Sequence, residues 1–479
     1  MATLRTLWDH FQYKPHQETG VTWMMNREND KSVRGGILCD EMGLGKTIQM
    51  IGLVKNAVVK PREKNLLIAP VAVLEQWKKV VSKSKMTAMV PSDTGMSWKA
   101  EGKEYPLSAR VYCIGYEAAT RKQWLVTGST WDRLIYDEAH RIASGNTGTD
   151  LAERIEADKK WMLTGTPIVN KIKDLTTLLR LIGVKSLPGN NLDALAPIIK
   201  KYVLARTMEQ LRKSIPDAPK APIHKTINLD FLTKEEETFY HDKVDIIANR
   251  LNRLAGNNGR GAVLERLKLI MRLRQVSLHP QIYNEARKNQ LKSMWTQPDW
   301  EETSTKFEAI RSLVADAAES HKWIIFCHFR HEMQMLEDML RAENTVELVQ
   351  QYHGGLTAAQ KEDVLERTTM PLMEGKQEVL LVQLQSGGTG LNLQHFDQII
   401  FTGPWWTSAL MQQAVGRAVR IGQTKQVVVY HLHLKAEEDD DRMNIDRFIA
   451  AKAGEKGELC AKVLQSATTA VTLADLSTY

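Results

Sequence analysis

Cysteine is scarce in this chain of 479 residues, and the four present, Cys39, Cys113, Cys327 and Cys460, stand far apart with no CxxC pair. That spacing argues against a disulfide framework and a zinc module, so all four read as reduced core residues. No apolar run approaches the length of a membrane span, and the N-terminal stretch MATLRTLWDHFQ lacks the apolar core of a signal peptide. An intracellular protein with no membrane partner is therefore expected. Internal repeats and low-complexity tracts are missing too. Acidic residues are outnumbered, 57 to 64, giving a net charge of +7 that suits an anionic partner without requiring one. The length allows two or three domains.

What is present is phosphate chemistry. Arg34 to Cys39 (RGGILC) reads as a short buried strand, and Thr47 to Val58 carries apolar residues at helical spacing. Between them lies Asp40-Glu41-Met42-Gly43-Leu44-Gly45-Lys46-Thr47. A strand feeding a helix through such a loop turns backbone N–H groups and the helix N-terminus toward an anion. Gly43 and Gly45 let the backbone close, Lys46 can reach β and γ phosphate oxygens, and the Thr47 hydroxyl is placed to ligate Mg2+. The strict pattern has Gly where Asp40 stands. About ninety residues on, the strand-like Arg133-Leu134-Ile135-Tyr136 runs into Asp137-Glu138-Ala139-His140. Asp137 would hold the magnesium and Glu138 polarise the attacking water. Taken alone, the loop could be a chance Gly-x-Gly-Lys-Thr and the acidic pair a helix cap. In this order they read as one nucleoside triphosphatase site.

Short apolar runs alternate with helical stretches in two separate series, which is α/β patterning twice. The first includes Gly36–Cys39, Asn65–Ala69, Arg110–Ile114, Arg133–Tyr136 and Lys160–Leu163. The second includes Lys322–Cys327, Glu378–Leu384, Gln398–Thr402 and Gln426–Leu432. From about Lys185 to Thr303 the pattern turns helical and charged. The expected fold is α/β, two parallel-sheet lobes with a helical insertion: an ATP-binding lobe over 1–184, the insertion and linker over 185–303, a second lobe over 304–436, and an acidic turn followed by brace helices and a tail over 437–479.

The second lobe has phosphate-binding character of its own. Gln413, Arg417 and Arg420 fall on one face if the segment is helical, so all three could enter one cleft and the guanidinium groups could stabilise γ-phosphate charge. The alternative is a basic face in water. The glycine-rich Ser386-Gly387-Gly388-Thr389-Gly390 directly follows the strand EVLLVQL, and α/β sheets bind ligands at such strand ends; Gly390 is counted with the nucleotide-binding residues. Hydrolysis would then require both lobes.

These residues resemble the superfamily two helicase-like ATPases, and within them the sucrose-nonfermenting (SWI/SNF-type) DNA translocases, over roughly Phe11 to Asp446. Tyr13-Lys14-Pro15-His16-Gln17 is similar to the family's adenine-reading element, with Gln17 as its glutamine, and DEMGLGKT is the family's form of the phosphate loop. Further matches are Ala69-Pro70 with Gln76-Trp77, Tyr116-Glu117, and Leu163-Thr164-Gly165-Thr166-Pro167 followed by Asn170. In the second half come WIIFCHF, Tyr352-His353-Gly354-Gly355, GGTGLNL and RAVRIGQ. The string Leu273-Arg274-Gln275-Val276-Ser277-Leu278-His279-Pro280 resembles the family's LRQ-x-x-x-HP box. Departures are Gly403-Pro404-Trp405-Trp406-Thr407-Ser408, which keeps a tryptophan but loses the usual Asp, Asn and Pro, Val419 in place of a histidine, and Ala205-Arg206 in place of an Arg-Arg pair.

The resemblance implies two RecA-like lobes, ATP and Mg2+ as cofactors, and catalytic roles for Lys46, Asp137, Glu138, Gln413, Arg417 and Arg420. It implies double-stranded DNA as the track, nucleosomes or other DNA-bound proteins as the load, targeting subunits supplied in trans, and a nuclear or viral replication compartment. Candidate DNA contacts are Lys78, Lys79, Gly165, Thr166, Ser386, Gly388, Thr389 and Trp406. Trp406 reads equally as a core aromatic, and each lysine as plain solvated surface. A nucleotide-gated DNA-binding switch with little turnover and an RNA helicase are the rival readings.

Overall fold

The computed structural model describes residues 4–57, 61–145, 147–215, 218–257, 259–384, 391–420, 422–435 and 444–467. Two compact units emerge. One comprises the chain up to Ala218 with the described residues from Glu455 onward; the other runs from Pro219 to Gly454. Ser386, Gly388, Thr389, Gly390 and the acidic turn at 436–443 lie outside the described residues.

The first unit is built on eight strands: β1 (Gly35–Leu38), β2 (Lys64–Ala69), β3 (Thr87–Pro91), β4 (Trp98–Glu101), β5 (Arg110–Gly115), β6 (Trp131–Asp137), β7 (Ala157–Leu163) and β8 (Val203–Leu204). Their order is β4-β3-β5-β2-β6-β7-β1-β8, and every pair is parallel except β3 with β4. Central strands read as unbroken apolar runs because both sheet faces are covered. Leu66 and Ile68 enter the same apolar cluster as Leu134 and Tyr136, whereas Leu67 and Ala69 enter the other with Ile135 and Leu163. Val463 and Ala467 of the C-terminal helix, Ile445–Ala467, join the first of these clusters.

Charge is also built into this core. Arg133 is fully buried on β6, where its guanidinium meets Glu28 and Glu63, and Trp161 donates its indole N–H to Glu28 at 2.9 Å. The start of this strand is thus an internal anchor for the helix Pro15–Glu28.

The second unit has six strands, all parallel: β9 (Ile223–Leu229), β10 (Lys322–Cys327), β11 (Val346–Tyr352), β12 (Gln377–Gln383), β13 (Gln398–Phe401) and β14 (Val428–Leu434), in the order β11-β12-β10-β13-β14-β9. Ile325 and Leu381 point to one apolar layer, Ile324 and Phe326 to the other. Helices Lys234–Arg253 and Arg260–Leu278 enclose a further apolar cluster with Leu434, Ile445 and Ile449.

The stretch 185–303, helical by pattern, also contains β8 and β9. β8 has two residues, too few for any periodicity, and pairs with β1. β9 is an edge strand on β14 whose side chains are largely exposed, so its IHKTINL sequence carries little apolar signal.

Candidate active site

β1 ends at Leu38, and the helix Lys46–Asn56 begins eight residues later. Gly43 and Gly45 make that turn possible with φ values of 87° and 79°, left-handed conformations that strain other L-residues. Gly45 also has to be bare, since a Cβ there would lie 2.6 Å from Gln17 Nε2. Gln17 therefore rests against the phosphate loop, and its Oε1 accepts the Lys14 N–H at 3.1 Å. His16 pairs through Nε2 with the Leu44 carbonyl at 2.9 Å. Leu44 is buried and Thr47 half-buried in the first helical turn. Lys46 donates to the carbonyls of Asp40 at 2.7 Å and Glu41 at 3.5 Å, so its ammonium lies across the loop.

Asp40 contributes its carbonyl to that arrangement and its side chain to another. The carboxylate is fully buried, where Arg206 grips it through Nε at 2.9 Å and Nη2 at 2.5 Å, and Gln49 donates to it at 2.9 Å. Arg206 also bonds the His16 carbonyl, and its own carbonyl accepts the Glu41 N–H. The Glu41 carboxylate accepts the Met208 N–H at 2.6 Å. The segment after β8 is thus bolted to the phosphate loop. Arg206 was visible in the sequence only as the survivor of an expected Arg pair.

Asp137 closes β6, and Glu138 follows with φ 53°. Trp77, buried on the helix Val71–Lys83, donates to Asp137 Oδ2 at 2.7 Å, and Tyr116 donates to the Asp137 carbonyl at 2.7 Å. Burial first, and then the adjacent Glu138 charge, raise the Asp137 pKa to about 6. Glu138 Oε2 is buried without a hydrogen bond. Its nearest basic atom is His140 Nδ1 at 3.4 Å, but burial lowers the His140 pKa to about 4, so the imidazole is neutral and no ion pair forms. His140 instead pairs with Thr164 Oγ1 at 3.2 Å, and that oxygen accepts the Thr166 N–H. Gly165 sits against the phosphate loop, where a Cβ would lie 3.8 Å from Lys46 Nζ and 3.7 Å from Met42 Cγ. Lys46, Asp137, Glu138, Gln17 and Gly165 therefore converge within one unit.

The candidate DNA lysines differ. Lys78 already meets the carboxylates of Glu75 and Glu101; burial would lower its pKa, but the two carboxylates prevail and raise it. Lys79 is exposed. Thr166 is buried.

In the second unit, the helix that carries Gln413 stops at Val415, with Gly416 as its cap. Arg417 and Arg420 lie in the turn beyond, not on the helical face expected. Gly416 is a weak helix former, and the N–H groups of Arg417 and Ala418 bond three residues back, tightening the chain. Gln413 and Arg417 are buried; Arg420 reaches the Leu391 carbonyl and Asn392 Oδ1, both at 3.4 Å. Trp406 is half-buried, edge-on to Phe448 at 6.3 Å, which suits a packing role.

Residues 16–191 match the family model described as the SNF2-related domain, and residues 305–422 match that of the helicase conserved C-terminal domain. Together these cover more than half of the chain. The chain belongs to the SNF2 family of helicase-like ATPases. It is 27% identical over 470 residues to a probable global transactivator of Orgyia pseudotsugata multicapsid polyhedrosis virus, covering 94% of this chain and 90% of that protein. It is 25% identical over 490 residues to the transcription regulatory protein SNF2 of Saccharomyces cerevisiae, covering 95% of this chain but 28% of that protein. For the putative helicase/translocase YwqA of Bacillus subtilis the values are 26% over 449 residues, 88% and 46%. The chain thus spans most of the viral relative and less than half of the two cellular ones. The SWI2/SNF2 ATPase core of Sulfolobus solfataricus, solved with double-stranded DNA, aligns with 99% of this chain and 98% of its own at 22% identity and TM-score 0.42.

For an SNF2-family site the cation question has a specific form. Among the described residues no group of three or more His, Cys, Asp or Glu side chains could hold a metal ion. The buried Asp137 carboxyl with its raised pKa and the adjacent, half-buried Glu138, one of whose oxygens has no hydrogen bond among the described residues, nevertheless favour positive charge. Mg2+ suits that pattern, since it binds through one or two protein ligands and otherwise through phosphates and water. Asp137 and the Thr47 hydroxyl would hold it.

Proposed function

We propose that this SNF2-family chain is a DNA-dependent ATPase that translocates on double-stranded DNA and displaces or remodels protein–DNA complexes, with nucleosomes among its loads. One observation carries the chemistry: a phosphate loop braced by Gln17 and Gly165 stands in the same unit as a buried Asp137 and an adjacent Glu138 whose Oε2 has no hydrogen bond among the described residues. Bound Mg2+ would supply charge neutralisation on the phosphates. Lys46 would leave its loop carbonyls for the β and γ oxygens. Asp137, held by Trp77 and Tyr116, keeps its position while ionised. Glu138 accepts a proton from the attacking water, and the neutral His140, bonded to Thr164, leaves that carboxylate oxygen free to do so.

We assign Arg417 and Arg420 to stabilising charge on the transferred phosphoryl group, and Gln413 to the same step. Lys79 and the Gly165-Thr166 backbone are the DNA contacts we retain first among those assigned, because Lys78 is already matched by two carboxylates. The family match supports ATP use, and the names of the relatives support DNA as the track. The chain is assigned to whichever compartment holds that DNA, nuclear or viral.

The test is steady-state ATP hydrolysis with no nucleic acid, duplex DNA, single-stranded DNA and duplex RNA, with Glu138→Gln as the blank. Stimulation by duplex DNA, followed by displacement of a triplex-forming strand from that duplex, supports translocation. Preferential stimulation by RNA, or no turnover with any of them, overturns the proposal.

A further inference from the structure

Arg274, in the LRQVSLHP string, is mostly buried in the second unit near the end of the helix Arg260–Leu278, and among the described residues no carboxylate lies within ion-pair distance of it. Burial, its largest influence, lowers its pKa to about 10. A cation held at such cost calls for a partner that an apolar side chain could not replace. The partners are three aromatic rings, of which Phe329 is the most distant, its centroid 6.0 Å from the guanidinium carbon. Arg274 Nη2 lies 2.6 Å from His328 Nδ1, and the guanidinium carbon sits 4.6 Å from the centroid of Trp405. The His328 and Trp405 rings stack at an interplanar angle of 5° and a centroid distance of 5.3 Å.

The proton inventory is then fixed. Guanidinium can only donate, so His328 Nδ1 accepts and the ring hydrogen sits on Nε2. That N–H donates to the Gly403 carbonyl, 3.2 Å away. Burial first, then the Arg274 and Lys306 charges, hold the His328 pKa well below its ordinary value, so the ring stays neutral. The groups facing it are Arg274, Lys306, and the carboxylate of Glu332, which accepts the backbone N–H of His328. Gly403 and Trp405 belong to the crossover from β13 to the helix Ser408–Val415, and Arg417 and Arg420 follow that helix directly.

We propose that Arg274 is a positioning residue for hydrolysis: by holding His328 in one tautomer and covering the face of Trp405, it sets the Gly403–Thr407 crossover from which Arg417 and Arg420 are presented. This rests on the hydrolytic role assigned above to those two arginines. It also makes the helix Arg260–Leu278 a mechanical input to the reaction, since shifting that helix moves Arg274 and with it the crossover.

The experiment uses the full chain and two readouts. The first is the kcat and KM for ATP with duplex DNA, for wild type, Arg274→Met, Arg274→Lys, His328→Leu and His328→Gln. Arg274→Met is expected to lower kcat by about tenfold or more with KM within about twofold, since small misplacements of catalytic groups cost rates of that order. Arg274→Lys falls between, because an ammonium cannot serve the His328 edge and the Trp405 face together. His328→Gln keeps one acceptor and one donor and recovers activity relative to His328→Leu. The second readout is the tautomer of His328 from long-range ¹⁵N–¹H couplings in ¹⁵N-histidine protein, which needs no turnover. Wild type should still show the neutral Nε2–H form where an ordinary histidine is already protonated, and Arg274→Met a mixture or a titrating ring. An unchanged tautomer in Arg274→Met overturns the contact, and a changed tautomer with unchanged kcat overturns the positioning role. If Arg274→Met does not fold, Arg274→Lys decides both points. A wild type with no turnover would sink the functional reading, and the tautomer arm would still test the contact.

Discussion

Replacing Arg206 by methionine should loosen the phosphate loop more than any change to the loop's exposed residues. Arg206 donates to both oxygens of a fully buried carboxylate, to the Gln49 side-chain oxygen at 2.8 Å and to the His16 carbonyl at 2.5 Å. Methionine keeps the stem and removes the fork, leaving Asp40 with only the Gln49 amide at 2.9 Å. Removing one partner of a buried ion pair costs about 3–5 kcal/mol. For a unit of this size, each kcal/mol lowers the melting temperature by about 2–4 °C, so the first unit's transition should drop by roughly 6–20 °C. Two units need not melt together, so the assay is hydrogen exchange read on peptides covering the helix Lys46–Asn56, alongside calorimetry. Nucleotide affinity, followed with a fluorescent ATP analogue, should weaken in parallel. The double variant Asp40→Leu with Arg206→Met replaces the pair by apolar groups and should recover much of the loss, so the two singles do not add. A drop under about 2 °C for Arg206→Met, or strict additivity in the double, would refute the claim that this pair holds the loop.

Glu138→Gln keeps the shape of the site and removes the base; turnover should fall by about a hundredfold or more with ATP affinity little changed, measured by steady-state kinetics and analogue binding. Lys46→Ala removes the charged phosphate donor and should weaken ATP binding by roughly ten- to a hundredfold, measured by the same binding assay. The raised Asp137 pKa fixes a pH response. This carboxyl takes up a proton on folding between its ordinary value of 3.8 and about 6, so its burial costs stability above about pH 6 and that cost disappears as pH falls. Activity needs the ionised form, so kcat should decline below about pH 6. Trp77→Phe removes the N–H that favours ionisation and should move that decline upward by about one unit; a midpoint that stays put or moves down contradicts the assignment.

The legible parts of this protein were those where chemistry dictates residue type at close spacing. The phosphate loop and Asp137–Glu138 could be named from strings of four to eight residues, and the covered central strands from their apolar runs. What escaped depends on distant pairing. Nothing around Asp40 says that its carboxylate meets an arginine 166 positions away. Nothing in Arg133-Leu134-Ile135-Tyr136 says that the arginine is fully buried against Glu28, 105 positions back. The strand β9 was hidden because an edge strand with exposed side chains has no apolar signature, and the end of the helix before Arg417 was hidden because a glycine within an otherwise helical pattern ends a helix only sometimes.

Glu138 occupies a left-handed backbone conformation at φ 53°. For a residue with a Cβ this is unfavourable by about 1–2 kcal/mol, and glycine would be free of it. The residue assigned to activate water is therefore also one at which random substitution can make the fold more robust: Glu138→Gly should raise the thermal midpoint while abolishing turnover. A selection for stability alone would discard this carboxylate, and only a requirement for hydrolysis keeps it there.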